Sequence, residues 1–442
     1  MSAGRRAPGM MAGVARVLLV LPTATYRAEA FLRAAARLGV EVVTASERRQ
    51  ALAAVMGDRF LEIPLADPEE AARRIVAHDR RLPLDAVVAV DDQGLAAAAR
   101  AGQALGLRTN PPAAVAVTRD KAAMRRLFSA AELPQPAYQV VQAGTTAELA
   151  AAAAAASAEI GPPVVVKPTG LSASRGVIRA DSPAEAAAAA ARTGALLEHL
   201  AEPSRLIVER YIPGEEVALE GLLERGRLHV LALFDKPDPL VGPYFEETIY
   251  VTPSRHPTVV QRAVAASVAA ATAALGLVEG PIHAELRLEA HSAGIRPVVL
   301  EVAARTIGGR CAAALRFAAG TSLEEIVLRH ALGEPVGDAL DTPLRAASGV
   351  MMLPIPASGR LVAVEGRAEA EAVPGISAVE IAIPLGQHVD ALPEGNRYLG
   401  FLFARAGDPA AVEEALRAAQ GALEIRIEPA PPHVLTSSQA CA

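Results

Sequence analysis

Glu285 and Glu301 fall within one stretch, HAELRLEAHSAGIRPVVLEVAAR, whose alternation of apolar and polar residues predicts a hairpin over 282–303. With the turn centred on Ala293, the two carboxylates lie directly opposite each other on one face, and Ala284, Leu286 and Leu288 take the other. Like charges directly opposed across two strands destabilise a sheet. The pairing therefore asks for a cation between them, and carboxylate oxygens completed by water and phosphate oxygens are what Mg²⁺ prefers. A different turn register would leave two solvated glutamates instead. Arg305 follows on the exit from the second strand, and Gly308-Gly309 behind it lets backbone N–H groups approach an anion. The plainer alternatives are a bare loop and an arginine paired with one of the glutamates.

The chain holds three lysines against forty arginines, and each lysine sits in a chemically loaded segment: TRDKAAM, VVVKPTGLSASRGV and FDKPDPLVGPYFEET. A compact ammonium beside a phosphate or carboxylate is not replaced by a guanidinium fork in a tight cleft. The second segment reads as a buried strand ending in Lys167, followed by a small-residue loop with Ser172, Ser174, Arg175 and Gly176. Such a loop can fold its amides and hydroxyls over phosphates; an ordinary hairpin is the alternative, and no Gly-Lys dipeptide of a Walker A motif exists. Lys121 falls in the first turn of a helix for which Thr118 is the expected N-cap. A cation there opposes the macrodipole at a cost of up to roughly 1 kcal/mol, which a docked phosphate would offset, unless Asp120 simply neutralises it. LIVERYIPGEEVALEG reads as strand, connector, strand. Glu209 and the backbone from Arg210 to Ile212, Tyr211 included, can hydrogen-bond a planar ring edge, and Glu216 can accept both hydroxyls of a ribose; otherwise this is an interstrand loop with exposed acids.

The elements that must hold these residues alternate. Strands are expected at 16–21, 41–44 and 86–90 and helices at 27–38 and 93–105, a parallel, doubly wound half-domain without a G-x-G-x-x-G signature. Asn110-Pro111-Pro112 closes that unit. Alanine-rich helices around 146–158 and 183–200 flank a strand at 163–167; short strands follow from 206 to 251, then helices at 260–275 and 323–332. A linker starting at Gly333 leads to strands near 348–353, 361–365 and 378–383 and a helix at 409–420.

Composition excludes some classes. A net charge of −6 with interspersed signs gives no nucleic-acid footprint, and the absence of Trp, with six Tyr and eight Phe, argues against base-stacking platforms. Cys311 and Cys441 form neither a disulfide framework nor zinc spacing, which fits a reducing, cytoplasmic setting. Arg5 and Arg6 precede the apolar run 14–21, which is better used as a first strand than as a cleaved leader. No stretch reads as long and apolar enough to span a bilayer.

Taken in order, a lysine on a helix, a lysine before a small-residue flap, Glu-x-x-Ile-Pro-Gly-x-Glu, paired glutamates on a hairpin and then Arg resemble the ATP-grasp superfamily of carboxylate–amine ligases. The resemblance implies an α/β and α+β multidomain chain: a Rossmann-like pre-ATP-grasp domain over 1–115, an ATP-grasp domain over 116–335 with a lid at about 125–208, a small C-terminal α+β domain over 340–430, and a tail, 431–442. It implies ATP and Mg²⁺, with Mn²⁺ as an alternative. Lys121 and Lys167 match the phosphate-binding lysines, with Ser172, Ser174 and Gly176 in the flap. Glu209, Tyr211 and Ile212 match the adenine hinge, Glu216 the ribose acid, Glu285 and Glu301 the metal ligands, and Arg305 the arginine beside the transferred phosphate. Where many members carry Glu-x-Asn, this chain has Ala303, similar to the branch of L-amino-acid ligases that join unprotected amino acids. The segment from Lys236 to Glu246 and Glu247 is expected to line a substrate pocket with Gly308 and Gly309, the glutamates holding an ammonium and Lys236 a phosphate or carboxylate; a surface loop with a salt bridge is the alternative. Small carboxylate and amine substrates follow from the resemblance, which is compatible with a homodimer. The rival readings are a biotin-carboxylase-like or purine-pathway carboxylase, which would need a separate carrier because no Met-Lys-Met acceptor exists, and a non-catalytic nucleotide-binding module.

Overall fold

The run Val17–Val20 is wholly buried, as a strand covered on both faces must be. It belongs to β1 (Arg16–Val20), which pairs in parallel with β2 (Glu41–Ser46) and β4 (Ala86–Ala89); β3 (Phe60–Glu62) continues the order β3-β2-β1-β4. The computed structural model describes residues 14–23, 25–49, 56–292, 294–317, 320–337 and 346–429. Arg5, Arg6, Ala293, Cys441, the linker stretch 338–345 and the tail 431–442 lie outside the described residues. Helix α1 (Ala28–Leu38) covers one face of this sheet through Phe31, Ala34 and Ala35. Helices α2 (Pro68–Asp79) and α3 (Leu95–Leu105) cover the other through Ala71, Ile75, Ala97 and Leu105. The sequence reading did not include β3 or α2. α2 buries Ala71, Ala72, Ile75 and His78 rather than a stripe of large apolar residues, so its periodicity is faint.

Thr118 is not the N-cap that the sequence suggested. It closes a short helix, α4 (Pro112–Thr118), its hydroxyl donating to the Val115 carbonyl at 2.8 Å. Asp120 caps the next helix, α5 (Lys121–Ala130), accepting from the N–H groups of Ala122 and Ala123 at 2.9 and 3.1 Å. A carboxylate at that position satisfies two orphan donors and answers the macrodipole as well.

A second sheet has the order β5-β8-β6-β7: β5 (Tyr138–Gln142), β6 (Val164–Pro168), β7 (Ile178–Ala180) and β8 (Arg205–Arg210), all antiparallel. The alanine tracts form α6 (Thr146–Ile160) and α7 (Pro183–His199), started by the side chains of Thr145 and Ser182. Leu149, Ala153, Ala186 and Ala190 pack with Val164, Val166, Leu206 and Val208.

The largest sheet is antiparallel, in the order β13-β12-β9-β10-β11-β14-β18-β16. Its strands are β9 (Glu215–Glu224), β10 (Arg227–Lys236), β11 (Ile249–Thr252), β12 (Gly280–His291), β13 (Gly294–Ala303), β14 (Ala347–Leu353), β16 (Ile376–Ile381) and β18 (Gly400–Ala406). Strands from residues 347–406 thus extend the sheet that carries the glutamate hairpin. β15 (Gly359–Glu365), β17 (His388–Val389) and β19 (Glu424–Glu428) make a small separate sheet. α8 (Thr258–Leu275) lies on the large sheet with Val264, Val268, Ala271 and Leu275 buried. With 18 residues and a mean hydropathy of 1.4, α8 is long and apolar enough to meet the criterion for a bilayer span, contrary to the sequence reading. α9 (Leu323–Ala331) returns to the first sheet, where Val327 and Leu328 join Val17 and Leu19.

Candidate functional site

The hairpin β12–β13 pairs Glu285 with Glu301, but by a route the sequence concealed. Its turn-side pairs run from His291↔Gly294 to Leu286↔Val299, one residue out of step with Glu285↔Glu301. A bulge at Leu300 absorbs the difference. Arg125, fully buried on α5, holds that bulge by donating to the carbonyls of Val299 and Leu300 at 3.1 and 2.8 Å. Its Nε meets Glu209 at 2.6 Å, and Lys167 Nζ reaches the other Glu209 oxygen at 2.7 Å. Burial alone would raise the Glu209 carboxyl, but Arg125 and Lys167 outweigh it and hold it at about 2. The Glu209 carboxylate, expected at a ring edge, is therefore already taken and orients Lys167.

Lys121 Nζ donates to the Leu171 carbonyl at 2.7 Å and lies 3.2 Å from Glu301. The loop it touches is tightly turned: Ala173, Ser174 and Gly176 have φ of +57°, +54° and +70°. The loop is also tied to the C-terminal part of the chain, the Gly176 N–H donating to Pro393 O at 2.8 Å and Arg175 Nε to Glu394 O at 2.7 Å.

Lys236 is neither on the surface nor free to meet a phosphate or carboxylate of a ligand. It is buried at the end of β10, hydrogen-bonded to Glu216, 2.8 Å from Glu247, 3.8 Å from Glu285 and over the ring of Tyr250. Burial opposes its charge, but the three carboxylates prevail and keep it protonated. Carboxylate oxygens of Glu216, Glu247 and Glu285 lie within 4.8 Å of one another. Burial and the neighbouring charges of Glu247 and Glu216 push Glu285 well up despite Lys236. Three hard oxygen ligands outnumber the two neighbouring cations, Lys236 and Arg287, and a divalent cation such as Mg²⁺ fits this donor set by favouring the ionised form of Glu285. Glu216 also receives Arg287 at 2.8 Å. Arg287 further donates to the carbonyls of Gly214 and Leu240, and its guanidinium lies over the ring of Tyr211.

Arg305 Nε meets Asp92 at 2.7 Å, and its Nη1 donates to Thr306 O at 3.0 Å. The glycine loop behind it is anchored. The Ile307 N–H donates to buried Glu220 at 3.0 Å, the Gly309 N–H donates to the Tyr26 hydroxyl at 2.8 Å, and Arg27 donates to Ile307 O at 2.9 Å. The Ile307 and Gly309 amides are thus committed to the protein rather than open to an anion. Gly309 has φ +56°, and a Cβ there would lie 2.2 Å from Met352 Sδ, so any side chain would be strained and would force Met352 to move.

A single cavity of about 1120 Å³ gathers Lys121, Lys167, Ser172, Ser174, Glu209, Tyr211, Ile212, Glu216, Glu247, Glu285, Glu301, Arg305, Gly308 and Gly309. Of the residues expected at the site, Gly176, Lys236 and Glu246 do not line it. Lys236 sits beneath the carboxylates, and Glu246 turns toward the Ile355 N–H at 3.3 Å. His283 does line the cavity, between Glu220 at 3.4 Å and Glu285 at 3.5 Å, while His256 lies 3.2 Å from Glu215. The sequence reading missed Arg125, Asp92, Glu220 and Arg287. Arg125 could have been found four residues after Lys121 on one helix face. Asp92 follows a parallel strand at its carboxyl end, where open α/β sheets place ligands.

Residues 160–314 match the ATP-grasp domain, residues 32–109 the ATP-grasp N-terminal domain, and residues 351–428 the L-amino acid ligase C-terminal domain 2. The chain is 28% identical over 279 residues to alanine–anticapsin ligase of Bacillus subtilis, covering 59% of this chain and 56% of that protein. It thus spans little more than half the length of that relative. It is 31% identical over 235 residues to D-alanine–D-alanine ligase of Gloeobacter violaceus, covering 49% of this chain and 69% of that enzyme. Its fold is similar to that of an L-amino acid ligase from Bacillus licheniformis, with a TM-score of 0.76, 24% identity and coverage of 94% and 99% of the two chains. With the geometry described above, these matches establish that the chain belongs to the ATP-grasp family.

Proposed function

We propose that the chain is an ATP-dependent ligase that joins a carboxylate to an amine, with amino acids as substrates. The observation that carries the reading is the convergence on one cavity of two lysines, a small-residue loop, a carboxylate cluster and an arginine. Phosphoryl transfer needs positioning and charge neutralisation more than a protein nucleophile.

In this reading Lys121 and Lys167 bind the ATP phosphates, and the loop bearing Ser172, Ser174 and Gly176 covers them. Tyr211 and Ile212 bound the adenine, with Glu209 positioning Lys167, and Glu216 receives the ribose hydroxyls. Glu285 and Glu301 would hold Mg²⁺, or Mn²⁺, which when bound neutralises phosphate charge. A substrate carboxylate oxygen attacks the γ-phosphorus and ADP leaves, giving an acyl phosphate; Arg305, fixed by Asp92, stabilises the transferred phosphoryl. The amine nitrogen then attacks the acyl carbon, the C–O bond to phosphate breaks, and the departing inorganic phosphate takes up the proton that the nitrogen gives up. Closure of the loop keeps water from the acyl phosphate. Glu247 accepts a substrate ammonium group.

The test is ADP and phosphate release with pairs of amino acids, with mass spectrometry of the product. Amino-acid-dependent release with a condensed product is expected. Release that depends on bicarbonate instead, or nucleotide binding without turnover, would overturn the reading.

A further inference from the structure

We propose that Arg397 forms an anion subsite for the α-carboxylate of the amine substrate, an inference that rests on the ligase reading above. The other arginines at the cavity wall are occupied. Arg27 donates to Val90 O and Ile307 O, Arg175 to Glu394 O, and Arg210 pairs with Glu289. Arg287 pairs with Glu216, Arg305 with Asp92 and Arg310 with Glu380. Arg397 lines the same cavity and has no hydrogen-bond or ion-pair partner among the described residues.

Its loop is nevertheless held on both sides. Three residues before it, the Glu394 carboxylate is clasped by Arg192 at 2.5 and 2.9 Å, and the carbonyls of Pro393 and Glu394 receive Gly176 N–H and Arg175. On its other side the Tyr398 hydroxyl donates to Glu247 at 3.4 Å. A guanidinium on a fixed loop, with its whole fork unpaired, is suited to bidentate recognition of a carboxylate. Its position favours a substrate carboxylate over a nucleotide phosphate. Arg397, exposed at the rim, also borders a recess of about 10 Å³ with Glu246, Glu247, Asp390 and the flap residues Ala173 and Ser174, which neither Lys121 nor Lys167 lines, so it stands apart from those lysines and beside acids suited to the ammonium of the same amino acid.

The experiment offers the full-length enzyme an accepted amine substrate as the free amino acid and as its α-carboxamide, and compares wild type with R397Q. For wild type, kcat/KM for the acid is expected to exceed that for the amide by about 10- to 100-fold. R397Q should remove that preference by raising KM for the acid, leaving the amide within about 2-fold, and R397K should recover part of the loss because charge returns without the fork. Equal effects on acid and amide, no effect on either, or a rise confined to the KM for ATP would each overturn the subsite. If no amino-acid pair drives ADP release, the ligase reading falls. Retention of pooled free amino acids against pooled carboxamides, measured by mass spectrometry with ADP and Mg²⁺ present, then decides the subsite by itself: selective loss of the acids in R397Q sustains it, and equal retention by both proteins overturns it.

Discussion

The two lysines at the flap end of the cavity and the third lysine beneath its carboxylates meet acids in opposite proportion. Lys121 faces Glu301 and Lys167 faces Glu209, each ammonium with one carboxylate and each lining the cavity. Lys236 faces three carboxylates and is sealed from the cavity. With Arg125 also on Glu209, the first arrangement sets three cations against two carboxylates and can take up a ligand anion. The second sets three carboxylates against two cations, Lys236 and Arg287, and suits an incoming cation. Rarity of lysine marked all three positions alike, yet only the count of neighbouring acids separates a ligand-facing cation from an internal counter-ion.

Substitutions can break this comparison. Glu301→Ala removes a carboxylate that faces both Lys121 and Glu285, and ADP release is expected to fall by about 1000-fold or more with an unchanged unfolding midpoint. Near-wild-type turnover would remove Glu301 from the metal assignment. Lys236→Met leaves three acids crowded without their ammonium. Breaking a buried pair of this kind costs about 3–5 kcal/mol, read as a lowered urea midpoint, whereas a midpoint close to wild type would deny Lys236 its structural role. Lys167→Arg keeps the charge but replaces a point charge by a fork. Turnover should drop about 100-fold with stability nearly intact, and a silent change would make Lys167 interchangeable with the forty arginines.

The smallest effect concerns a site in neither region. His78 is buried on α2 with no partner for either ring nitrogen, and burial, then Arg81, lowers its pKa. In the unfolded chain it takes a proton below about pH 6.5, which the folded state resists. Its contribution is therefore complete above that pH and declines as the pH falls toward the lower folded value. From pH 7.5 to 5.5 this loss should be at most about 1.4 kcal/mol, and His78→Leu should flatten that part of the stability profile. An unchanged slope would show that another group sets it.

Patterns local in sequence were legible. The hairpin, the alanine helices and the strand before the flap follow from alternation and propensity over short windows. The facing of Glu285 and Glu301 was legible too, although the centred turn that suggested it is offset by the bulge at Leu300. What stayed hidden depends on pairings between distant segments. The acids around Lys236 come from β9, the β10–β11 loop and β12, which only the order of the large sheet brings together. The pairing of β11 with β14 likewise joins segments roughly a hundred residues apart, and no periodicity records it. Arg125 was hidden because a buried cation has no pattern until its two carbonyls and its carboxylate are in place.

The bulge held by Arg125 also separates two parts of one hairpin. Register at the glutamate end is fixed by a guanidinium gripping the Val299 and Leu300 carbonyls, not by the turn some eight residues away. The exposed tip residues His291, Ser292 and Gly294 are thereby released from any duty to the site. Loop lengthening, an epitope or a fluorophore can be accommodated there while the distance between the two carboxylates is preserved, which makes the tip the natural handle for labelling this chain without touching its cavity.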